Sequence, residues 1–158
     1  MSCTNALVGQ TVVRRTDRRT FLKATGGIAV LALAGCTGGS EPAADTTVDV
    51  TLSDFKIALS DGSVSAGRIQ FDITNDGPSL HELVVLKTEI MAGELPTDED
   101  GAVDEEGAEG IELVDEVEDI EDDATATLTV DLEPGHYALI CNLPSHYELG
   151  MFIDFTVT

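Results

Sequence analysis

The sequence predicts an all-β fold, an antiparallel sandwich of two sheets that carries an acidic insertion. Stretches in which apolar and polar residues alternate recur along residues 47–158, at the period that turns one face of a strand toward a core. Turn sequences rich in Gly, Pro, Asn and Asp separate these stretches. About seven or eight short strands within one domain are typical of a sandwich.

The individual strands can be placed in chain order. The predicted strands are residues 48–52, 55–59, 68–73, 80–88, 125–132, 136–141 and 151–158. Leu128, Val130 and Leu132 show the alternation most clearly, because they fall on one face of their strand. The predicted turns are Asp61-Gly62, Asn75-Asp76-Gly77-Pro78 and Glu133-Pro134-Gly135.

Residues 89–123 interrupt this pattern and form the acidic insertion. Between positions 94 and 123, 16 of 30 residues are acidic. Two local structures stay open: a short helix with one apolar face, or an edge strand around residues 112–117. The acids from Asp98 onward lack the ligand order of an EF-hand, so we do not expect a specific calcium site.

Residues 1–35 are predicted to be an export signal. Asp17-Arg18-Arg19-Thr20-Phe21 is a twin-arginine pattern, and the apolar run that follows is shorter than the roughly 20 residues that span a bilayer. The run ends in a sequence that resembles a lipobox at Cys36. We therefore expect a lipid on Cys36, attachment to the outer face of the cytoplasmic membrane, and a flexible linker over residues 36–46. An ordinary signal peptide with an incidental Cys36 is the alternative.

The charge of the chain limits its partners. The formal net charge is −22, and after residue 35 only three bases face 29 acids. This excess argues against nucleic acid or an anionic membrane surface as a partner. The acids could steer a basic partner or form the solvated surface of a halophile. We favour the halophilic surface because the acids are spread along the whole domain and molar salt screens steering beyond about 3 Å.

The segment from Cys141 to Met151 carries the most specific chemistry. Cys141, His146 and Met151 are separated by four residues each, and thiolate, imidazole and thioether are the donors that copper prefers. A type 1 copper site needs a second imidazole. His136 precedes Cys141 by five residues in one strand and therefore faces the other way. His81, just after a turn at the start of its strand, remains as the second imidazole.

Residues 48–158 resemble the cupredoxins, the blue copper proteins. Asn75-x-Gly77-x-x-x-His81 is similar to the family's first ligand segment, and the run from Pro134 to Cys141 is similar to the strand that carries the cysteine. The loop spacing resembles that of rusticyanins, sulfocyanins and auracyanins more than that of plastocyanins. The resemblance implies a Greek-key sandwich with one type 1 copper. Its strong ligands would be His81, Cys141 and His146, and its axial ligand Met151.

Two positions depart from the family pattern. Ser145 stands where these loops usually have Gly, and serine is a costly residue if the backbone there needs a positive φ. Glu82 follows His81, where cupredoxins commonly place Asn or Ser to tie down the ligand loop. A carboxylate can donate a hydrogen bond only when it is protonated. These two positions put the surroundings of the metal in question.

The functional prediction is an electron carrier rather than an enzyme. All four ligand positions would be filled by the protein, whereas catalytic metals keep one open. The protein would shuttle single electrons between extracytoplasmic membrane redox complexes as a monomer. Transient docking would use an apolar patch around His146, formed by Leu143, Pro144, Tyr147 and Leu149. The alternative is copper delivery or storage, although the chain lacks Met-rich or Cys-pair motifs. A binuclear copper centre would need a second cysteine in the loop, where position 145 is Ser.

Overall fold

The computed structural model of the protein describes residues 43–105 and 107–158. The expected export signal, Cys36 and most of the expected linker lie outside these residues. The described part contains one 3₁₀ helix, Ala92–Glu94, and nine strands. The strands are β1 Thr46–Ser53, β2 Lys56–Leu59, β3 Ser63–Val64, β4 Gly67–Asn75, β5 His81–Thr88, β6 Ile111–Ile120, β7 Thr125–Leu132, β8 Gly135–Ile140 and β9 Phe152–Val157. Within the described ranges, no helix is long and apolar enough to cross a membrane.

The strands form two sheets, which confirms the predicted all-β sandwich. One sheet has the order β2-β1-β4-β7 and the other has the order β3-β9-β8-β5-β6. The sheets are mixed rather than purely antiparallel, because β1 pairs with β4 and β3 pairs with β9 in parallel. The chain leaves β1 through β2 in the first sheet and β3 in the second before it returns to pair with β1. This crossover brings β4 back in the same direction as β1.

The main core lies between the two sheets and follows the alternation of the sequence. In β4 the side chains of Ile69, Phe71 and Ile73 are fully buried, while the residues between them are partly exposed. Phe71 meets Phe155 of β9 edge-on, with ring centroids 5.5 Å apart. The period of two therefore decides which residues hold the sheets together.

A second core lies on the outer face of the five-stranded sheet, beneath the acidic insertion. β5 is buried on both faces because segments of the insertion cover its outer side. The buried residues of this cluster are Val84, Leu86, Ala92, Leu95, Val103, Ala138, Ile140 and Tyr147. The second half of the insertion is the edge strand β6, which pairs with β5 and decides between the two structures that the sequence left open. Its acidic side chains protect the edge from pairing with another chain.

The order of strands in the second sheet brings distant residues to one end of the sandwich. β8 runs antiparallel to both β5 and β9. The end of β8, where Cys141 follows, therefore lies beside the start of β5, where His81 stands, and beside the start of β9, which Met151 precedes. The loop 142–150 joins the last two and carries His146 over the same end.

Candidate metal centre

Three potential metal donors meet at this end of the sandwich. The Nδ1 atoms of His81 and His146 are 3.3 Å apart. The Cys141 Sγ lies 3.9 Å from His81 Nδ1 and 3.3 Å from His146 Nδ1. His81 and Cys141 are buried and His146 is partly exposed, and their ligand atoms all lie within 4.8 Å of one another. The structure thus brings His81 next to Cys141, which follows it by 60 positions in the chain, and next to His146, which lies five positions after Cys141.

The size and chemistry of this triangle fit one metal ion. Metal bonds to nitrogen and thiolate of about 2.0–2.3 Å in a trigonal plane would place the donors roughly 3.5–3.7 Å apart. The observed edges of 3.3, 3.3 and 3.9 Å bracket that range. Two imidazoles and one thiolate form the trigonal set of a blue copper site. The donors present therefore fit a type 1 copper.

Met151 lies at the end of the ligand loop and is fully buried. Its backbone carbonyl accepts a hydrogen bond of 3.0 Å from the Cys141 N–H, and its own N–H donates to the His146 carbonyl at 3.1 Å. Both ends of the loop are thereby fastened to each other. The predicted axial ligand is held in the backbone network of the other donors, and its coordination to copper stays a prediction.

The environment of Cys141 disfavours an uncompensated thiolate. Burial raises the pKa of the thiol from 9.0 to about 11, and hydrogen bonds to the backbone of Glu82 and Leu143 oppose this rise. A bound cation lowers the pKa of a coordinating thiol and leaves it deprotonated. A buried cysteine with this cost and no disulfide partner among the described residues is therefore suited to metal ligation.

His81 is held in the neutral form that binds metals. Burial lowers the pKa of its imidazole, and the nearby His146 lowers it further, while Asp54 opposes both effects. A neutral imidazole keeps one nitrogen free to donate its lone pair. The Nδ1 atom faces the other two donors, so it is the atom available to a metal.

Glu82 fastens the ligand loop as an acceptor rather than as a donor. Its carboxylate accepts a hydrogen bond of 2.8 Å from the N–H of Asn142, the residue after Cys141. Burial is the main cause that raises the pKa of Glu82 from 4.5 to about 7, and Glu105, Glu116 and Glu118 add to the rise. The concern that a carboxylate cannot donate here is removed by this geometry, because the backbone supplies the hydrogen.

Ser145 adopts the positive φ that its position in the sequence brought into question. Its φ is 69°, and its carbonyl accepts a hydrogen bond of 3.1 Å from the Leu149 N–H. A left-handed conformation costs a residue with a Cβ about 1–2 kcal/mol. The ligand loop therefore contains a strained residue directly before His146.

Replacing Ser145 by Gly is expected to stabilise the protein by about 0.5–1 kcal/mol, because relief of the strain exceeds the added entropy of the unfolded chain. Urea unfolding of the metal-free protein, followed by circular dichroism, measures the change. Ser145→Ala is the control and should bring no gain, since it keeps a Cβ at the same φ. A Gly variant no more stable than wild type would contradict the strain argument.

The acidic insertion is fastened to the ligand loop through Asn142. The Val103 N–H donates to the Asn142 side-chain oxygen at 2.7 Å, and the Asn142 amide nitrogen donates to the Val103 carbonyl at 2.9 Å. The same nitrogen donates to Glu105 at 2.6 Å. The side-chain amide of Asn142 therefore pairs with the backbone of Val103 in the way that a neighbouring strand would.

Tyr147 provides a second attachment and is buried, with 5% of its surface exposed. Its hydroxyl accepts a hydrogen bond of 3.0 Å from the Leu95 N–H and donates one of 2.8 Å to the Ala92 carbonyl. The prediction that Tyr147 belongs to an exposed patch is therefore wrong. The side chain turns into the second core because that core offers both an apolar pocket and two unpaired backbone groups.

Phe55 is a site neighbour that sequence reasoning missed. Its ring meets the His146 imidazole edge-on, with centroids 5.5 Å apart, and it is 40% exposed. Leu149 is 57% exposed and Pro144 is also exposed, while Leu143 is partly buried. The apolar surface beside His146 is thus formed by Leu143, Pro144, Leu149 and Phe55. The alternation predicts Phe55 as the first residue of a strand, whereas it lies in the turn before β2, and no sequence pattern indicates that its ring lies beside His146.

His136 lies apart from the donors and has a structural role. Its Nδ1 is 2.8 Å from the Thr88 carbonyl, and its Nε2 is 2.9 Å from the Asp154 carboxylate. Asp154 also accepts a hydrogen bond of 2.7 Å from the Ala92 N–H. His136 therefore holds the start of the acidic insertion against β8 and β9.

Comparison with known proteins supports the fold but not a close relationship. No protein-family model matches the chain, and no curated protein matches it significantly. A reduced auracyanin from Roseiflexus castenholzii superposes with a TM-score of 0.52 at 18% identity, over 73% of this chain and 99% of its own. Auracyanin B gives a TM-score of 0.53 at 20% identity, over 75% of this chain and 92% of its own. Rusticyanin variants give 0.52 at 18% identity, over 74% of this chain and 80% of theirs. These likenesses show that the sandwich has the cupredoxin fold.

Proposed function

We propose that the protein is a type 1 copper electron carrier, with His81, Cys141 and His146 as strong ligands and Met151 as the axial ligand. The observation that carries this proposal is the convergence of two imidazole Nδ1 atoms and one thiol within 3.3–3.9 Å of one another at the buried end of the sandwich. A bound copper ion would supply a one-electron exchange between Cu(II) and Cu(I).

The protein's part in this reaction is to keep the donors still. The hydrogen bonds from Cys141 to Met151 and from Met151 to His146 close the ligand loop upon itself. Glu82, Asn142 and Tyr147 fasten the loop to β5 and to the acidic insertion. A site that cannot relax toward the geometry preferred by either oxidation state changes little when an electron arrives.

His146 is the proposed route by which electrons enter and leave. It is the most exposed of the three strong ligands, and Phe55, Leu149 and Pro144 surround it with accessible apolar surface. An apolar patch of limited size suits brief contacts with a redox partner. The partners we propose are membrane redox proteins.

The location of the protein is also a proposal that rests on the sequence. The twin-arginine pattern and the lipobox-like end at Cys36 favour a lipoprotein on the outer face of the cytoplasmic membrane. The 29 acids after residue 35 favour a halophilic source. A lipid on Cys36 would keep the carrier near membrane partners, although one chain alone anchors only weakly.

An intense visible thiolate-to-copper band is expected when the full chain is loaded with Cu(II), and Cys141→Ser should abolish it, because serine offers no thiolate. His136→Gln is the matched control and should keep the band, since His136 lies away from the donors. Absorption spectra with copper analysis measure both variants. A colourless copper-loaded protein that cannot be oxidised reversibly would reject electron transfer and leave copper storage or delivery.

A further inference from the structure

The turn between β1 and β2 touches both imidazoles of the metal centre. Ser53 pairs with Lys56, so Asp54 and Phe55 form a two-residue turn. The Asp54 Oδ1 lies 3.5 Å from Nε2 of His81, and the Phe55 ring contacts His146. Phe55 has a φ of 59°, a left-handed conformation at the second central position of the turn that glycine usually occupies. The turn therefore contacts the His81 imidazole through Asp54 and the His146 imidazole of the ligand loop through Phe55.

The Nε2 atom of His81 lies in closed surroundings. It is buried and makes no hydrogen bond within the part of the chain that the structure describes. A Cβ at Gly77 would approach Nε2 and the Asp54 N–H to 3.0 Å each, so glycine leaves just enough room for the ring. The Asp54 carboxylate, whose side chain is 37% exposed, is the charged group that faces this nitrogen.

We propose that Asp54 is a positioning residue for His81 that also sets the reduction potential of the copper centre, an inference that rests on the proposed function. When Nδ1 is bound to the metal, Nε2 carries the hydrogen and points toward the carboxylate. A carboxylate behind a ligating histidine fixes its tautomer and orientation and raises its basicity. The negative charge also favours the more positive Cu(II) state over Cu(I), and so lowers the reduction potential.

The prediction is that Asp54→Asn keeps the shape of the turn but raises the reduction potential. The variant loses the Coulomb attraction between the Asp54 carboxylate and the copper ion. At an effective dielectric constant between that of a protein surface and that of water, this loss corresponds to roughly a five- to tenfold increase in the Cu(I)/Cu(II) ratio at a fixed applied potential. A tenfold change equals 59 mV for one electron. The electrode supplies the single electron, and no proton transfer to Asp54 or His81 is part of the step.

Two further variants separate this effect from general charge loss. Asp61→Asn removes the same charge from an exposed turn at the far end of β2, roughly 20 Å away along the strand, and should change the ratio less than twofold. Asp54→Glu restores the charge and should return the potential toward that of wild type. Voltammetry of the copper-loaded full chains gives the potentials of wild type and of the three variants, with the visible band as the check that the site is intact.

The outcomes distinguish this inference from the proposed function. A wild-type protein without the thiolate-to-copper band would overturn both. An intact band with equal potentials for Asp54→Asn and Asp61→Asn would overturn the role of Asp54 alone. If Asp54→Asn does not fold, nitrogen-15 NMR of the Cu(I) wild type decides: a His81 Nε2–H that exchanges slowly with solvent supports the hydrogen bond to Asp54, and rapid exchange overturns it.

Discussion

Tyr147→Ala should lower the free energy of unfolding by about 3–5 kcal/mol, the usual loss when a large buried ring is truncated. The ring packs against Phe152, with centroids 5.3 Å apart, and its hydroxyl pairs with the Leu95 N–H and the Ala92 carbonyl. Tyr147→Phe keeps the ring and should cost about 1–3 kcal/mol, because those two buried backbone groups lose their partner. Urea unfolding of the metal-free full chain measures both losses.

The same variants are expected to alter the copper centre, since Tyr147 follows His146 directly. A loop released from the second core lets the imidazole move, which should broaden and shift the thiolate-to-copper band. Tyr137→Phe is the matched control. Tyr137 is also buried and donates a hydrogen bond of 2.9 Å, to the Glu133 carbonyl, but it stands at the opposite end of β8. It should lose stability and keep the visible spectrum.

An unchanged stability of Tyr147→Ala would show that the second core does not hold the ligand loop. An unchanged visible band in a destabilised Tyr147→Ala protein would show that the insertion stabilises the fold without positioning the copper ligands. Either result would contradict the view that the acidic insertion is a working part of the centre.

The sequence could predict the sandwich and the donors because both leave local or pairwise signals. A period of two reports which face of β4 or β7 is buried, and this needs no knowledge of the partner strand. Copper donors are few in kind, and His136 could be set aside by strand geometry alone. The sheets turned out mixed because strand direction depends on crossovers, which periodicity does not report.

The attachments of the ligand loop could not be predicted, because they join residues far apart in the chain. Asn142 meets Val103 across 39 positions, and the Tyr147 hydroxyl meets Ala92 across 55. An acid-rich segment is usually a solvated loop, and nothing in its composition shows that its few apolar residues cover a sheet. The approach of the Asp54 carboxylate to His81 Nε2 is also a contact between distant parts of the chain, because the pairing of β1 with β4 sets the position of Asp54.

Transfer of the metal-free protein from molar salt to about 10 mM KCl is expected to unfold it. After residue 35 the chain carries three bases and 29 acids. Two of the bases form ion pairs with exposed acids, Arg68 with Asp131 at 3.5 Å and Lys87 with Glu133 at 2.9 Å. The screening length grows from about 3 Å to about 30 Å over this dilution, so repulsion comes to act across the whole domain. The resulting loss in the free energy of unfolding should be as large as the typical stability of a domain, about 5–15 kcal/mol.

Urea midpoints measured over a series of KCl concentrations test this expectation. A variant with Glu99, Glu109 and Glu118 changed to Gln and Asp122 changed to Asn removes four exposed charges from the insertion. It should stay folded to a lower salt concentration than wild type. Sucrose at low ionic strength is the control, because it favours burial without screening charge. A wild-type midpoint that does not change between 1 M and 10 mM KCl would reject the halophilic interpretation and favour recognition of a basic partner.

The order of unfolding should follow from where the charge is concentrated. The first half of the insertion rests on the smaller second core, whereas Val117 and Ile120 of β6 belong to the main core between the sheets. Amide hydrogen exchange at intermediate salt should therefore open residues 92–103 before β1 and β4. Because Asn142 and Tyr147 tie those residues to the ligand loop, the visible band of the copper-loaded protein should change at the same salt concentration as this local opening. Simultaneous exchange of both cores would contradict the proposed order.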